Sequence, residues 1–246
     1  MKNDAFRHLP ELSGKILLAD DSALRATDEV LATWDAQARL HGLGPDWRMS
    51  DDALEASRGL VLQSLNGEHD LWIFAYGSLL WDPGFYFDEV RRATLEGHQR
   101  QFNYKTTIGR GTPDQPGLVV SVEPQAGHCQ GLVFRIDASI ADQESRMFWR
   151  REMIFGGYQP IFLPIRTPQG SVDALVLRSN PGHPSHAGDM SLHETAAVIA
   201  SACGSHGRNL DYLRKLVDQL GRLAIEDGYV QRLMCLINLE HCRQNC

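Results

Sequence analysis

Residues 71–178 carry apolar positions at the short spacing that is typical of β-strands. The predicted strands run from Leu71 to Tyr76, Ala93 to Tyr104, Leu118 to Glu123, Gln130 to Asp137, Gln159 to Thr167 and Ser171 to Arg178. Turn signals at Gln125-Ala126-Gly127 and Pro168-Gln169-Gly170 connect neighbouring strands closely. Because short connections favour antiparallel pairing, we predict a mixed, largely antiparallel sheet of about six strands, covered by helices or curled into a small barrel.

Helical spacing of apolar residues dominates on both sides of this strand region. Before it, Ser22 to Leu40 and Asp51 to Leu65 are predicted as amphipathic helices, separated by the breaker His41-Gly42-Leu43-Gly44-Pro45. After it, helices are predicted at about Leu192 to Cys203, Asn209 to Glu226 and Tyr229 to His241. The sequence therefore predicts an α+β protein with a helical N-terminal extension over residues 1–70 and a second domain over residues 71–246.

The first predicted strand ends in Ala75-Tyr76-Gly77-Ser78, which has the features of a ligand-binding loop. Gly77 permits a tight turn and close approach of a ligand to the main chain, and Ser78 adds a hydroxyl group that donates or accepts. Main-chain N–H groups exposed by such a turn suit a carboxylate or another charged small molecule. The alternative is an ordinary strand end followed by a Gly-Ser turn.

One helix interrupts the strands. Asp137 or Ser139 can cap its start, it runs to about Phe155, and Gly156-Gly157 stops it. At a period of 3.6 residues, one face carries Ala141, Ser145, Phe148 and Glu152. The carboxylate at the end of this helix therefore shares a face with an aromatic residue that is expected to be buried.

Glu152 is the candidate acid–base group of this helix. Burial disfavours its anion and the negative end of the helix dipole repels it, so we predict a raised pKa for Glu152. A carboxylate with a raised pKa is a better base near neutral pH. The alternative is a surface ion pair of Glu152 with Arg150 or Arg151, or a solvated last turn.

Net charge, apolar runs and cysteine content limit the kinds of partner and the cellular compartment that we expect for this chain. The 246 residues carry 24 Lys and Arg against 31 Asp and Glu, a net charge of −7, without a basic cluster, which argues against nucleic acid or an anionic membrane as partner. No apolar run reaches the roughly 18–20 residues of a membrane span, and Met1-Lys2-Asn3-Asp4 lacks a signal-peptide pattern. Five cysteines do not form a disulfide framework in a chain of this length, so we expect reduced thiols and a cytoplasmic protein.

Four motifs follow one another along the chain. They are Phe74-Ala75-Tyr76-Gly77-Ser78-Leu79-Leu80-Trp81, then Gly109-Arg110-Gly111-Thr112-Pro113 with Pro116-Gly117, then Arg151-Glu152 followed by Gly156-Gly157-Tyr158, and finally Gly207-Arg208-Asn209 with Tyr212-Leu213. Together they resemble the ChaC branch of the γ-glutamylcyclotransferases, the glutathione-specific enzymes. The resemblance spans residues 71 to about 228 and leaves the first 70 uncovered. Two departures are Ala75, where many members have Gly, and Met153-Ile154-Phe155, a longer spacer before the Gly pair than eukaryotic members show.

The resemblance implies a γ-glutamylcyclotransferase-like fold over the catalytic domain 71–246 and an intramolecular reaction. The α-amine of a γ-glutamyl group attacks its own amide carbonyl, so glutathione gives 5-oxoproline and cysteinylglycine. Glu152 is implied as the catalytic residue, first general base and then general acid. Substrate binding is implied for Ile73, Phe74, Ala75, Tyr76, Gly77, Ser78 and Leu79, with Tyr158 and Tyr212 as further pocket residues or as buried aromatic residues. No cofactor is implied.

Other kinds of site have weaker patterns. A serine hydrolase would require a Gly two residues after Ser78, where Leu80 stands, and a His partner is not evident. Gly109-Arg110-Gly111 lacks the strand-to-helix setting of a dinucleotide site. Metal ligands could come from His183, His186 and His193 or from Cys235, Cys242 and Cys246, although loop histidines and helix cysteines explain both sets better.

Two alternatives concern the function of the same loop. One is a cyclotransferase for other γ-glutamyl amino acids or amines, because the substrate tail contacts residues outside the four motifs. The other is a non-catalytic sensor of γ-glutamyl ligands that regulates cation transport, a role for which Glu152 would not be required.

Overall fold

The computed structural model describes residues 5–63 and 69–244, and the side chains of its last helix up to residue 239. The chain divides into two compact units. The first unit consists of Met1–Gln99 and Pro124–Arg178, and the second of Arg100–Glu123 and Ser179–Cys246.

Five strands form a closed barrel. They are β1 (Leu71–Ala75), β2 (Glu89–Thr106), β3 (Gly117–Ile136), β4 (Tyr158–Thr167) and β5 (Gly170–Ser179), in the order β1-β3-β2-β4-β5. β1 is antiparallel to β3, and it closes the barrel through a parallel pairing of Ile73 with Leu175 of β5. The predicted barrel of mixed, largely antiparallel strands is confirmed, with five strands instead of about six.

The number of strands differs because the two strands predicted at Leu118 to Glu123 and Gln130 to Asp137 form one continuous strand, β3. The predicted turn at Gln125-Ala126-Gly127 is wrong, since β3 runs through these residues without a break. Residues 124–128 are all exposed, so their polar and small side chains reflect solvent contact and not a chain reversal. Gly127 has φ +128°, which lets the strand continue through an irregular position that most side chains would disfavour.

Six helices accompany the barrel in the described part of the chain. They are α1 (Asp28–Leu40), α2 (Asp51–Leu62), α3 (Ala138–Glu152), α4 (Leu192–Ser201), α5 (Asn209–Arg222) and α6 (Gly228–Gln244). The first helix begins at Asp28 and not at Ser22, because the Thr27 side chain caps it by accepting from the Val30 N–H. The predicted end of the second helix, residues 64 and 65, lies outside the described residues. None of the helices in ranges 5–63 and 69–244 is long and apolar enough to cross a membrane.

Two short strands, β6 (Cys203–Gly204) and β7 (Gly207–Arg208), were not predicted. They pair antiparallel across a tight connection between α4 and α5. Two residues per strand are too few for the alternation of apolar and polar positions on which strand prediction depends.

The N-terminal segment packs within the first unit by main-chain hydrogen bonds as well as by side chains. The Leu17 N–H donates to the Trp81 carbonyl at 2.9 Å, and the Val90 N–H donates to the Ala5 carbonyl at 3.0 Å. Farther along, the Met49 N–H donates to the Ile154 carbonyl at 2.9 Å, next to the end of α3. The segment therefore contacts the residues after β1, the start of β2 and the end of the helix that carries Glu152.

The pairing of β1 with β3 depends on a glycine. A Cβ atom on Gly131 would lie 2.1 Å from the Ala75 carbonyl oxygen, a main-chain atom that cannot turn away. We expect Gly131→Ala to lower the free energy of unfolding by about 1–3 kcal/mol, as overpacking of a core does. Gly59→Ala is the matched control, because a Cβ there meets nothing within 4 Å. Denaturant unfolding of both variants measures this, and equal stability would contradict the assigned register.

Candidate active site

The predicted ligand-binding loop begins where β1 leaves the barrel. Ile73, Phe74 and Ala75 are buried strand residues, at most 1% exposed. The Tyr76 side chain is also buried, and its hydroxyl group donates to the Leu177 carbonyl at 2.6 Å. These four residues hold the loop in place through their side chains, so a substrate contact from this part of the loop would have to come from the main chain.

The chain turns sharply after Tyr76. Gly77 precedes a single 3-10 turn over Ser78–Leu80, in which the Leu80 N–H donates to the Gly77 carbonyl at 3.0 Å. Leu79 and Leu80 are buried and anchor this turn, whereas Ser78 is half-buried. The turn thus presents the Ser78 hydroxyl group and nearby main chain at the edge of the first unit's core.

Helix α3 places Glu152 at its last position. Asp137 caps the helix, as predicted, with its side chain accepting from the Ser139 N–H at 2.9 Å. The predicted face is confirmed, because Ser145 and Phe148 are buried and the Glu152 side chain is only 15% exposed. The alternative of a solvated last turn is therefore wrong.

Glu152 and Ser78 are joined by one guanidinium group. Arg151 Nε lies 2.9 Å from Glu152 Oε1, and Arg151 Nη2 donates to Ser78 Oγ at 3.3 Å. Arg151 is only 7% exposed, so its pair with Glu152 is a buried one and not the surface pair considered as an alternative. The structure thus brings the first and third motifs together through Arg151, for which no contact with the first motif was predicted from the sequence.

The surroundings of Glu152 stabilise the protonated form of its carboxyl group relative to the anion. Burial, the largest influence, raises the pKa of Glu152, and the nearby Asp82 raises it further, whereas Arg151 lowers it. The net direction is upward from the usual value, as predicted from the sequence. A carboxyl of this kind can accept a proton and return it near neutral pH.

Asp82 is a second residue that the sequence did not single out. Its main-chain carbonyl accepts from Arg151 Nη1 at 2.7 Å, and its buried carboxylate lies 3.5 Å from the same nitrogen. The Ser22 hydroxyl group donates to Asp82 Oδ1 at 2.6 Å. An Asp after a turn is common on protein surfaces, so the sequence offered no signal that this one is buried beside an arginine.

The two candidate tyrosines lie in different units. Tyr158 is buried at the start of β4, in the unit that also contains Glu152. Tyr212 is buried on α5 in the other unit, where its ring packs edge-on against Phe102 at a centroid distance of 5.9 Å. Both fit the alternative of buried aromatic residues, and their contact with substrate stays a prediction.

The second and fourth motifs meet within the second unit. The buried Asn209 side chain accepts from the Leu118 N–H and donates to the Leu118 carbonyl, both at 2.7 Å. A Cβ atom on Gly111 would lie 2.1 Å from the Gly117 nitrogen, and one on Gly204 would lie 2.5 Å from the Gly109 carbonyl oxygen. These glycines allow close approach of main chains, so their role in the structure is packing.

The residues weighed for other kinds of site have structural partners. His183 Nδ1 accepts from the Ser185 N–H at 3.1 Å, and His186 pairs with Glu123 at 2.8 Å, as fits loop histidines. Within the described ranges, three or more His, Cys, Asp or Glu residues are nowhere grouped to hold a metal ion. Cys246 and the Cys242 side chain lie outside the described residues.

Comparison with known proteins identifies a matching family and similar relatives. The family model described as ChaC-like protein matches residues 71–240. A glutathione-specific γ-glutamylcyclotransferase of Escherichia coli (strain K12) is 32% identical over 209 residues, covering 85% of this chain and 90% of that relative. Glutathione-specific γ-glutamylcyclotransferase 1 of Danio rerio is 33% identical over 156 residues, covering 62% of this chain and 80% of that relative.

A solved structure supports the fold. The crystal structure of a γ-glutamyl cyclotransferase specific to glutathione from yeast matches with a TM-score of 0.64. It covers 69% of this chain and 96% of the yeast chain, at 22% sequence identity. At that identity the likeness establishes a shared fold.

Proposed function

Because this chain belongs to the ChaC-like family, we propose that it is a γ-glutamylcyclotransferase that cleaves glutathione to 5-oxoproline and cysteinylglycine. The relatives that carry this activity in their names match the chain over most of their length. The observation that carries the proposal in this molecule is the Arg151 guanidinium, which contacts both the Ser78 hydroxyl group and the Glu152 carboxylate.

Glu152 is the proposed catalytic residue. The nitrogen of the γ-glutamyl α-amine forms a bond to the side-chain amide carbonyl carbon, which closes a five-membered lactam. Glu152 accepts the proton that this nitrogen loses and delivers it to the leaving amine as the original amide C–N bond breaks. The proton count balances without a further reactant, and the raised pKa of Glu152 suits both transfers.

The loop after β1 is the proposed substrate-binding element. Since nucleophile and electrophile belong to one molecule, the protein mainly has to hold the γ-glutamyl chain in a folded conformation. Main-chain N–H groups of Gly77, Ser78 and Leu79 are proposed to bind the α-carboxylate or the oxyanion that develops on the attacked carbonyl. Ser78 Oγ accepts from Arg151, which leaves its own proton available for that oxygen.

The test is to incubate the protein with glutathione and identify both products. We expect equal amounts of cysteinylglycine and 5-oxoproline, and we expect glutathione with an acetylated α-amine to remain intact, because its nitrogen is no longer a nucleophile. Release of glutamate, or cleavage of the acetylated analogue, would indicate hydrolysis and contradict the proposal. Turnover of γ-glutamylalanine without turnover of glutathione would move the substrate assignment to other γ-glutamyl compounds.

The remaining assignments from the sequence stay proposals. We propose a division at residue 70 between N-terminal extension and catalytic domain, and the family model begins matching at residue 71. The net charge of −7 argues against nucleic acid and anionic membranes as partners, and the small-molecule substrate is proposed from the family. We also propose the cytoplasm as the location, on the cysteine usage of the chain.

A further inference from the structure

Segment 22–26 of the N-terminal extension reaches the candidate site through a chain of buried and partly buried hydrogen bonds. The Ser22 hydroxyl group donates to Asp82 Oδ1 at 2.6 Å, and the Leu24 N–H donates to Ser22 Oγ at 3.1 Å. Asp82 in turn accepts from Arg151 through its carbonyl oxygen, at 2.7 Å. Ser22 is therefore two side chains away from Glu152, although 130 positions separate them in the sequence, counted as 152 minus 22.

The Arg151 guanidinium is also closely packed against the main chain at Gly84. A Cβ atom on Gly84 would lie 2.7 Å from Arg151 Nη1 and 3.5 Å from both Ser22 Oγ and the Leu24 carbonyl oxygen. The guanidinium of Arg151 thus lies against the Gly84 main chain, with segment 22–24 beside it. An arginine enclosed in this way has few alternative rotamers, and its direction is fixed by the groups around it.

The N-terminal extension also packs through apolar side chains against the residues that follow α3. Ile154 packs in a cluster with Ala26, Leu31 and Trp34 of the extension. Phe155 packs edge-on against Trp47 at a centroid distance of 5.9 Å. The longer spacer Met153-Ile154-Phe155, which departs from the eukaryotic pattern, is thus the segment that the extension covers.

We propose that Ser22 and Asp82 are positioning residues, by which the N-terminal extension holds Arg151 shared between Ser78 and Glu152. This inference rests on the proposed function, and it means that the N-terminal extension contributes a residue, Ser22, that helps to position the groups of the active site. Asp82 and Ser78 hold one end of the guanidinium, while Glu152 contacts only Nε at the other. Without the negative charge of the Asp82 side chain, only the Asp82 carbonyl and the Ser78 hydroxyl group hold this end, so Arg151 can turn to bind Glu152 with two nitrogens, and the base becomes weaker and differently directed.

The first test removes the negative charge and the hydroxyl group separately. We expect Asp82→Asn to lower kcat by about tenfold, since small misplacements of catalytic groups cost up to about a hundredfold. It should also move the acidic limb of the kcat/KM profile to lower pH, because Asp82 raises the pKa of Glu152. We expect Ser22→Ala to lower kcat about threefold without moving that limb, since the charge of Asp82 remains.

The matched control is Asp88→Asn. This substitution makes the same change of charge in the same unit, at a carboxylate that pairs with Arg135 at 2.8 Å. It should leave the limb in place and kcat within about twofold of the parent, as expected for a site outside the catalytic groups. A limb that stays in place in Asp82→Asn, with kcat equal to that of the control, would overturn the proposal.

The second test displaces the guanidinium without a change of charge. We expect Gly84→Ala to lower kcat about tenfold, because the new methyl group would occupy the position of Arg151 Nη1. The substitution also strains a backbone at φ +71°. Gly14→Ala corrects for this strain, because Gly14 has φ +73° and a Cβ there meets nothing within 4 Å. Equal activity of the two variants would contradict enclosure of Arg151.

A direct titration separates this inference from the proposed function. The Glu152 carboxyl is followed by carbon-13 NMR in the absence of substrate and is assigned by its loss in Glu152→Gln. We expect a lower midpoint in Asp82→Asn than in the parent and in Asp88→Asn. An inactive parent with this shift would refute the proposed reaction and support the positioning contact, whereas an active parent without it would refute the contact alone.

Discussion

Glu152→Gln should lower kcat/KM for glutathione by a factor of about 10²–10⁴, the usual contribution of a general acid–base group. Glutamine has the same size and can still accept a hydrogen bond from Arg151, so the loop and the end of α3 should keep their positions. What it cannot do is take the proton of the attacking amine. Product formation by the purified variant, measured with the parent at several substrate concentrations, gives the result.

The stability of this variant distinguishes lost chemistry from lost structure. The pKa of Glu152 is raised in the folded state, mainly by burial, so its ionised form destabilises the fold at pH values above the folded pKa. That cost disappears below the unfolded pKa, where the carboxyl is protonated in both states. Arg151 keeps the Asp82 carboxylate at 3.5 Å as a counter-ion, so Glu152→Gln should unfold at a temperature equal to or above that of the parent at pH 7. An inactive variant that is also clearly less stable would contradict this account.

The same carboxyl should set the acidic limb of the parent's pH profile. The base acts as the anion, so kcat/KM should fall as the pH decreases through the pKa of Glu152 in the free enzyme. Since burial raises this pKa, the fall should begin at a higher pH than for a solvated glutamate. A flat profile down to the pKa of an ordinary glutamate would assign the proton transfer to another group.

Local patterns in the sequence predict the elements that carry the site. The apolar run before Gly77 predicts β1, and a 3.6-residue period places Ser145, Phe148 and Glu152 on one face of α3. Both patterns are complete within a short window, so they do not depend on the rest of the chain. The wrong turn at residues 125–127 has the same origin, because exposed strand residues and turn residues share a polar composition.

The contacts that arrange the site are not local, and the sequence did not predict them. Asp82 and Ser22 belong to none of the four motifs, and only the fold buries them beside Arg151. Arg151 belongs to a motif, but from its position next to Glu152 in the sequence we predicted at most an ion pair at the surface. Whether an ion pair is buried depends on what covers it, here the segment around Ser22, and that is a property of tertiary packing.

A second buried pair should dominate the stability of the region around α3. The Glu144 side chain is 1% exposed and forms a two-nitrogen pair with Arg25, at 2.6 and 2.8 Å. Glu144 also accepts from the Tyr86 N–H at 2.8 Å, and Arg25 donates to the Gly84 carbonyl at 3.2 Å. These bonds link the N-terminal segment, the chain after β1 and α3 within one unit.

Arg25→Met should lower the free energy of unfolding by about 3–5 kcal/mol, because it leaves a buried carboxylate without its cation. Adding Glu144→Gln removes that uncompensated charge while keeping an acceptor for the Tyr86 N–H, so the double variant should be more stable than Arg25→Met alone. Arg150→Met is the matched control. Its partner Asp28 is 85% exposed, and an exposed pair contributes about 0–1 kcal/mol.

Denaturant unfolding of the three variants and the parent measures these differences. Equal losses in Arg25→Met and Arg150→Met would contradict burial of the Glu144 pair, and a double variant no more stable than Arg25→Met would contradict the cost of the unpaired carboxylate. The expected recovery follows from the physics of burial, because a carboxylate enclosed by protein is costly unless a cation stays beside it. The N-terminal segment supplies that cation, so removing it should weaken the helix that ends at Glu152.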